Sequence, residues 1–250
     1  MTPQIPGYLL AFESTVRLLV VAIALGLIWT GAVHMKAPTR SRYTTAGALA
    51  VALIAWLAIA NHLGSANTYF ATTDTAMPTV VFGLLIPLIV AAIGFWVSEN
   101  IASLVSAIPL HWIVAAQIYR VGGGIFLVLW AYGRLPWQFA LPAGIGDVTT
   151  GCLAVVVAAM LAQNAVGARR AAYGWSLFGV ADLAVAIAMG AMTSPGRPHL
   201  FAFAAPNLLI TSYPLVMIPT FAVPLALMLH GLVLWRLRRE TASTGRLVAA

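Results

Sequence analysis

The sequence predicts an all-α, polytopic membrane protein of seven transmembrane helices, and three observations carry that prediction. Of its 250 residues, 62% are hydrophobic and only 8% are charged, with a mean hydropathy of +0.96, outside the range of soluble domains. Seven windows are long and apolar enough for a hydrocarbon core of ~30 Å, which takes about 20 helical residues. The basic residues stand in short clusters directly after apolar runs, as orientation signals do, rather than on a continuous patch. That distribution argues against nucleic acid as a partner, which the net charge of +7 would otherwise suggest.

Taken in order, the first span is expected over about 15 to 35. Its leader MTPQIPGYLLAFESTV has no basic secretory signal, and the apolar run ends in Lys36, Arg40 and Arg42 rather than a small-residue cleavage site, so the run is read as a retained helix. The second and third spans are expected over about 44 to 64 and 78 to 97. The fourth, about 109 to 131, carries Gln117, Arg120 and the triple glycine Gly122 to Gly124 in its middle. The fifth, about 147 to 165, opens at Asp147 and is followed by Arg169 and Arg170. Asp182 lies within the sixth, about 173 to 192, and the seventh, about 213 to 235, is followed by Arg236, Arg238 and Arg239. Residues 1–240 form a single transmembrane domain in this reading, and 241–250 a short, unstructured cytoplasmic tail. The opposite side shows only Arg17, Arg134 and Arg197, so positive-inside counting puts the N-terminus out and the C-terminus in, with the bacterial cytoplasmic membrane as the expected location.

The connections AYGRLPWQFALPAGIG and SPGRPHLFAFAAPNLLITSY mix Pro and Gly with Trp, Phe and Leu. Such a composition suits the headgroup layer, a re-entrant segment or a lid. Cys152, the only cysteine, lies in an apolar run, so neither a disulfide framework nor a cysteine metal cluster is available.

One faint internal repeat pairs PLIVAAIG, Pro87 to Gly94, with PLALMLHG, Pro224 to Gly231. Glu13 and Asp147 open the first and fifth spans, and Tyr43 and Tyr173 precede or open the second and sixth, which fits a 3+1+3 parallel duplication. In arrangement this resembles the seven-helix sugar transporters built from two triple-helix repeats. The likeness is confined to architecture, because their Pro-Gln signature is absent from the spans, Pro3-Gln4 being in the tail, and no site residue carries over.

Arg120 and Asp182 stand at nearly equal depth, each about ten residues in from the same end of its span. A bare arginine at mid-helix costs about 2.5 to 3.5 kcal/mol on insertion scales, so it needs an internal partner or a wet cavity. Asp182 is the one carboxylate placed for that in the middle of a span. Helical spacing puts Gln117, Arg120 and Gly124 on one stripe, and Gly179, Asp182, Ala186 and Gly190 on another, where small residues let helices approach. A guanidinium at Asp182 keeps that acid ionised, which leaves Asp147 as the expected proton carrier.

Other chemistries meet obstacles. Gly144 to Asp147, GIGD, is similar to the Gly-x-Gly-Asp motif of intramembrane aspartyl proteases, but no second aspartate stands in a span upstream, and the bland reading is a turn followed by an acidic helix start. Haem b held between His111 and His230 is an alternative, since membrane cytochromes use histidines of facing helices. A retinal pigment would need a lysine in the last span, and Lys36 is the chain's only lysine. The zinc-protease, serine-hydrolase and P-loop motifs are missing, so no catalytic residue, no metal ligand set and no other cofactor is expected, and an enzyme is the less favoured class.

The residues therefore point to a small transporter or permease for a small polar or anionic solute. Gln117, Tyr119, Arg120 and Asp182 would bind at the midplane, with Asn61, His62, Arg134, Trp137 and Asp147 around an outer vestibule; Trp112, Trp130 and Trp175 are candidates for the apolar part of the pocket, with packing or interfacial anchoring as the plainer reading of each. The alternatives are a structural or accessory subunit of a membrane complex, in which the ion pair only sets helix register, and a haem-binding redox protein. Besides the lipid bilayer, the partners in view are copies of the same chain or other membrane subunits.

Overall fold

The computed structural model describes residues 5–248; Pro3-Gln4 and the last two residues of the expected tail lie outside the described residues. The chain is all-helical among the described residues, and seven of its helices are long and apolar enough to cross a membrane. They are α1 Gly7–His34, α2 Thr39–Ser65, α3 Val80–Val97, α5 Leu110–Ala131, α6 Trp137–Ala162, α7 Ala168–Thr193 and α8, which starts at Ile218 and runs to Val248. The eighth, α4 Glu99–Ala107, is a short helix capped by the Ser98 hydroxyl on the Ile101 N–H. It packs Leu104 onto Gly31, where any side chain would meet Leu104 at 2.7 Å.

Helix ends differ from the sequence expectation where Pro and Gly misled it. α6 begins at Trp137 and carries Pro142 inside, so WQFALPAGIG is helix rather than connection. In hydrocarbon the backbone must satisfy itself, which keeps such residues helical, and Gly144 lies where Leu127 of α5 comes closest. α8 likewise continues past Arg239 to Val248, where the sequence suggested an unstructured tail.

Two helices depart from α geometry. The middle of α5, Ala116–Gly124, is a 3-10 helix of 9 residues, unusually long for that tighter winding. The start of α8, Ile218–Ala222, is a wide π turn. Pro224 follows it and has no N–H to give the Thr220 carbonyl; that oxygen instead accepts from the Trp56 indole at 3.1 Å.

Packing is layered along the bundle. Leu9 of α1 meets Ile125, Leu129, Phe139 and Ala140 where α1 and α6 begin, while Leu27 joins Ile113, Ala158, Trp175 and Leu237 toward the opposite end. The segment from Ser194 to Met217 is not a solvated loop: Asn207 is fully buried, its N–H donates to the Thr193 carbonyl at 2.8 Å, and Leu209, Ile210 and Leu215 close the layer around Leu9. α3 sits apart. It touches α8 through Gly83 against Thr220 and Phe95 edge-on to Trp235, and an apolar cleft of about 1070 Å³ separates its face from α1 and α2.

Candidate functional site

The 3-10 winding of α5 sets the site. With three residues per turn, Gln117, Arg120 and Gly123 stand in one line, where α geometry had suggested Gly124. Gln117 and Tyr119 tie this segment to α8, donating to the Ala226 carbonyl at 3.0 Å and the Ala222 carbonyl at 3.1 Å. Both side chains are therefore positioned by backbone acceptors, and of the two only Tyr119 also borders the cavity described below.

Arg120 is buried, and every nitrogen of its guanidinium is engaged. Nε donates to Asp147 Oδ1 at 2.7 Å, and Nη2 lies 2.7 Å from the same oxygen and also donates to Asp182 Oδ2. Nη1 approaches the Gly179 carbonyl at 3.4 Å and His230 Nε2 at 3.2 Å. The arginine has only donors, so His230 Nε2 accepts, and the imidazole is the Nδ1–H tautomer. Its Nδ1 lies 3.0 Å from the Ser176 hydroxyl, which donates in turn to the His230 carbonyl at 3.2 Å.

Glycines make this convergence possible. A side chain at Gly123 of α5 would collide with Asp147, one at Gly146 of α6 with the Asp182 carboxylate, and one at Gly179 of α7 with the His230 ring. Each helix thus leaves room for the ionisable group of the next. Gly151 serves the same packing, with Val121 of α5 at 2.8 Å from where a Cβ would sit.

The sequence-expected pair of Arg120 and Asp182 is thus brought together, and two of the expectations around it change. Asp147 is not at the mouth of a span but ten residues into α6, on the same guanidinium as Asp182, so it is a partner of Arg120 rather than a residue of an outer vestibule. A guanidinium between the two carboxylates also removes the proton sharing that an aspartyl protease requires, and GIGD is mid-helix rather than a turn. Of the two histidines named for haem, His230 has both ring nitrogens within hydrogen-bond distance of Arg120 and Ser176, and the His111 ring lies tilted against Trp112, centroids 5.5 Å apart. Among the described residues, no three His, Cys, Asp or Glu side chains are grouped so that they could hold a metal ion.

The outer residues do not form the expected vestibule. His62, Arg134 and Trp137 are exposed on the surface, as are Trp112 and Trp130; only Trp175 is inside, where its indole donates to the Thr150 carbonyl at 3.0 Å and its ring lies against His230. Asn61 is part of a different cluster. Its Oδ1 accepts from Arg17 at 2.7 Å and from the Tyr213 hydroxyl at 3.1 Å, and Arg17 also reaches Ser14 at 3.2 Å. Glu13 and Arg17, four apart in an apolar run, were the visible signal for this cluster; Ser176 and Gly146 carried none.

Between the two clusters lies a cavity of about 60 Å³, large enough for a few water molecules. Glu13, Arg17, Tyr119, Arg120 and Asp147 supply its polar atoms, and Phe12, Val16 and Phe221 are among its apolar walls.

Comparison with curated proteins and with solved structures returned no match. A family model does match over residues 77–238, well over half of the chain, from just before α3 to the charged end of the seventh span. Arg120, Asp147, Asp182 and His230 all fall inside the match, and Glu13, Arg17 and Asn61 precede it. The chain belongs to this family, described as a domain of unknown function, DUF8737.

Proposed function

We propose that the protein is a small membrane transporter or permease whose moving part is the ionic core on α5, α6, α7 and α8. The observation that carries this reading is Arg120, fully paired at mid-span on an irregular, glycine-rich helix and bordered by a water-sized cavity. A charged cluster that fixed register alone would be served as well by packed apolar residues. In the transport reading, an anionic or hydrogen-bonding solute competes for the guanidinium, releasing a carboxylate as it enters. Orientation belongs to the proposal: the Lys36, Arg40, Arg42 end of α1 faces the cytoplasm of a bacterial cell. A 3+1+3 ancestry is supported by Glu13 of α1 and Asp147 of α6 lining one cavity.

Thermal unfolding of the purified protein with phosphate, sulfate and short mono- and dicarboxylates tests the reading. A solute present at a hundred times its Kd stabilises by about 2.7 kcal/mol, and Arg120→Gln is expected to abolish that response. Asp182→Asn, which keeps the arginine, separates lost binding from lost folding. An unchanged ligand response in Arg120→Gln sinks the site.

The second reading, an accessory subunit with a structural ion cluster, is favoured by the completeness of Arg120's pairing. Stable co-purification with other membrane chains, and no solute response, would select it.

A further inference from the structure

Among the described residues, Glu13 is the one buried acid with an unanswered oxygen. It is 5% exposed, its Oε2 has no hydrogen-bond partner, and it lines the cavity that reaches Asp147 and Arg120. Arg17 Nη1 stands 3.6 Å away, near enough for attraction and too far for a hydrogen bond, because Asn61 and Ser14 hold it. We propose that Glu13 is an exchangeable proton-binding site, and that its protonation state decides whether Arg17 links α1 to Asn61 of α2 and, through Asn61, to Tyr213, or turns to Glu13.

The chemistry of the surroundings favours a proton over a metal cation. Besides Glu13, the cavity's oxygens come from Asp147, already on Arg120, and from Tyr119, already bonded to the Ala222 carbonyl. The remaining walls from α1, α7, α8 and the segment before it are apolar. A hard cation wants about six oxygens, and this cavity does not offer them. Charge balance points the same way: Glu13, Asp147 and Asp182 face two guanidiniums, Arg17 and Arg120, with His230 held neutral by its hydrogen bonds. One carboxyl that carries a proton neutralises the set, and Asp147 and Asp182 are committed to Arg120.

The step is a simple acid dissociation. The Glu13 O–H bond breaks, the proton passes to water in the cavity, and the carboxylate left behind draws the Arg17 guanidinium from Asn61 Oδ1 into a direct pair. Arg17 thereby lets go of a residue that also accepts from Tyr213. Proton binding would then fasten one end of the bundle and release would loosen it. This deepens the transporter reading and rests on it for the use made of the proton, but the site is testable without any solute.

pH-difference infrared spectroscopy on the protein in lipid nanodiscs reads the site directly. One protonated-carboxyl band is expected to vanish as pH is raised, to shift when the glutamates alone carry carboxyl 13C, and to stay put when the aspartates do. The chain has three glutamates, of which Glu99 opens the short helix α4, so Glu99→Gln should leave the band and Glu13→Gln should remove it. Labelling needs no substitution, so the test survives a Glu13 variant that fails to fold. A band that follows the aspartate label, persists in Glu13→Gln, or moves when choline chloride is replaced by sodium chloride overturns the proposal. Failure of every solute to stabilise the protein, with this band intact, would remove the transporter reading and leave the proton site standing.

Discussion

Arg120 has five N–H groups and meets two carboxylates, one carbonyl and one imidazole, so replacing a carboxylate by an amide takes one of two counter-charges from a buried cation. Breaking such a pair typically costs about 3 to 5 kcal/mol. Asp182→Asn is therefore expected to lower the unfolding temperature strongly, and Asp147→Asn less, because the Asp147 side chain is 14% exposed against 6% for Asp182. Equal losses in thermal unfolding would contradict this ordering. Gly146→Ala places a methyl group where the Asp182 carboxylate lies and should cost about 1 to 3 kcal/mol by overpacking. The Arg120–Asp182 contact was legible from the sequence, since depth and the expense of a lone arginine leave few partners. The roles of His230 and Ser176 were not, because hydrogen bonds between helices leave no periodic trace.

Along α5, the 3-10 winding decides which glycine matters. Gly123 is pressed against Asp147, whereas a side chain at Gly122 would meet Val16 at an ordinary 3.4 Å and Phe12 at 3.9 Å. Gly123→Ala is expected to destabilise the protein by about 1 to 3 kcal/mol while Gly122→Ala stays near neutral; thermal melts of the two variants in one detergent compare them directly. The reverse ranking would show that this segment is an ordinary α-helix. α8 offers a parallel case, in which Trp56→Phe should lose about 1 kcal/mol by leaving the Thr220 carbonyl without its donor. Hydrophobic windows located the helices well but misplaced the start of α6 by ten residues, because Pro142 and its neighbouring glycines read as loop in a scale drawn from water-soluble turns. They also gave no hint of the 3-10 segment, which the apolar count of a window cannot distinguish from α-helix.

For the molecule as a whole, seven apolar rods surround an ionic centre, and a loosely attached α3 borders a wide apolar cleft. The class of protein was legible from composition alone, whereas the vestibule drawn from His62, Arg134 and Trp137 was not, since surface aromatic and basic residues look alike whether they line a mouth or anchor at an interface. Orientation has its own test on a Cys152→Ser background: a cysteine placed at Arg134 should react with a membrane-impermeant maleimide on intact cells, and one at Arg40 only after lysis. Labelling of the two in the opposite pattern would invert the proposed topology. The central claim, an arginine held at mid-bundle by two aspartates, is tested most directly by solid-state NMR on protein labelled with 15N-guanidinium arginine and 13C-carboxyl aspartate. With three aspartates in the chain, two carboxyl signals should dephase strongly against arginine nitrogen and both should lose that coupling in Arg120→Gln. Dephasing at one carboxyl or none would show that the guanidinium does not bridge Asp147 and Asp182.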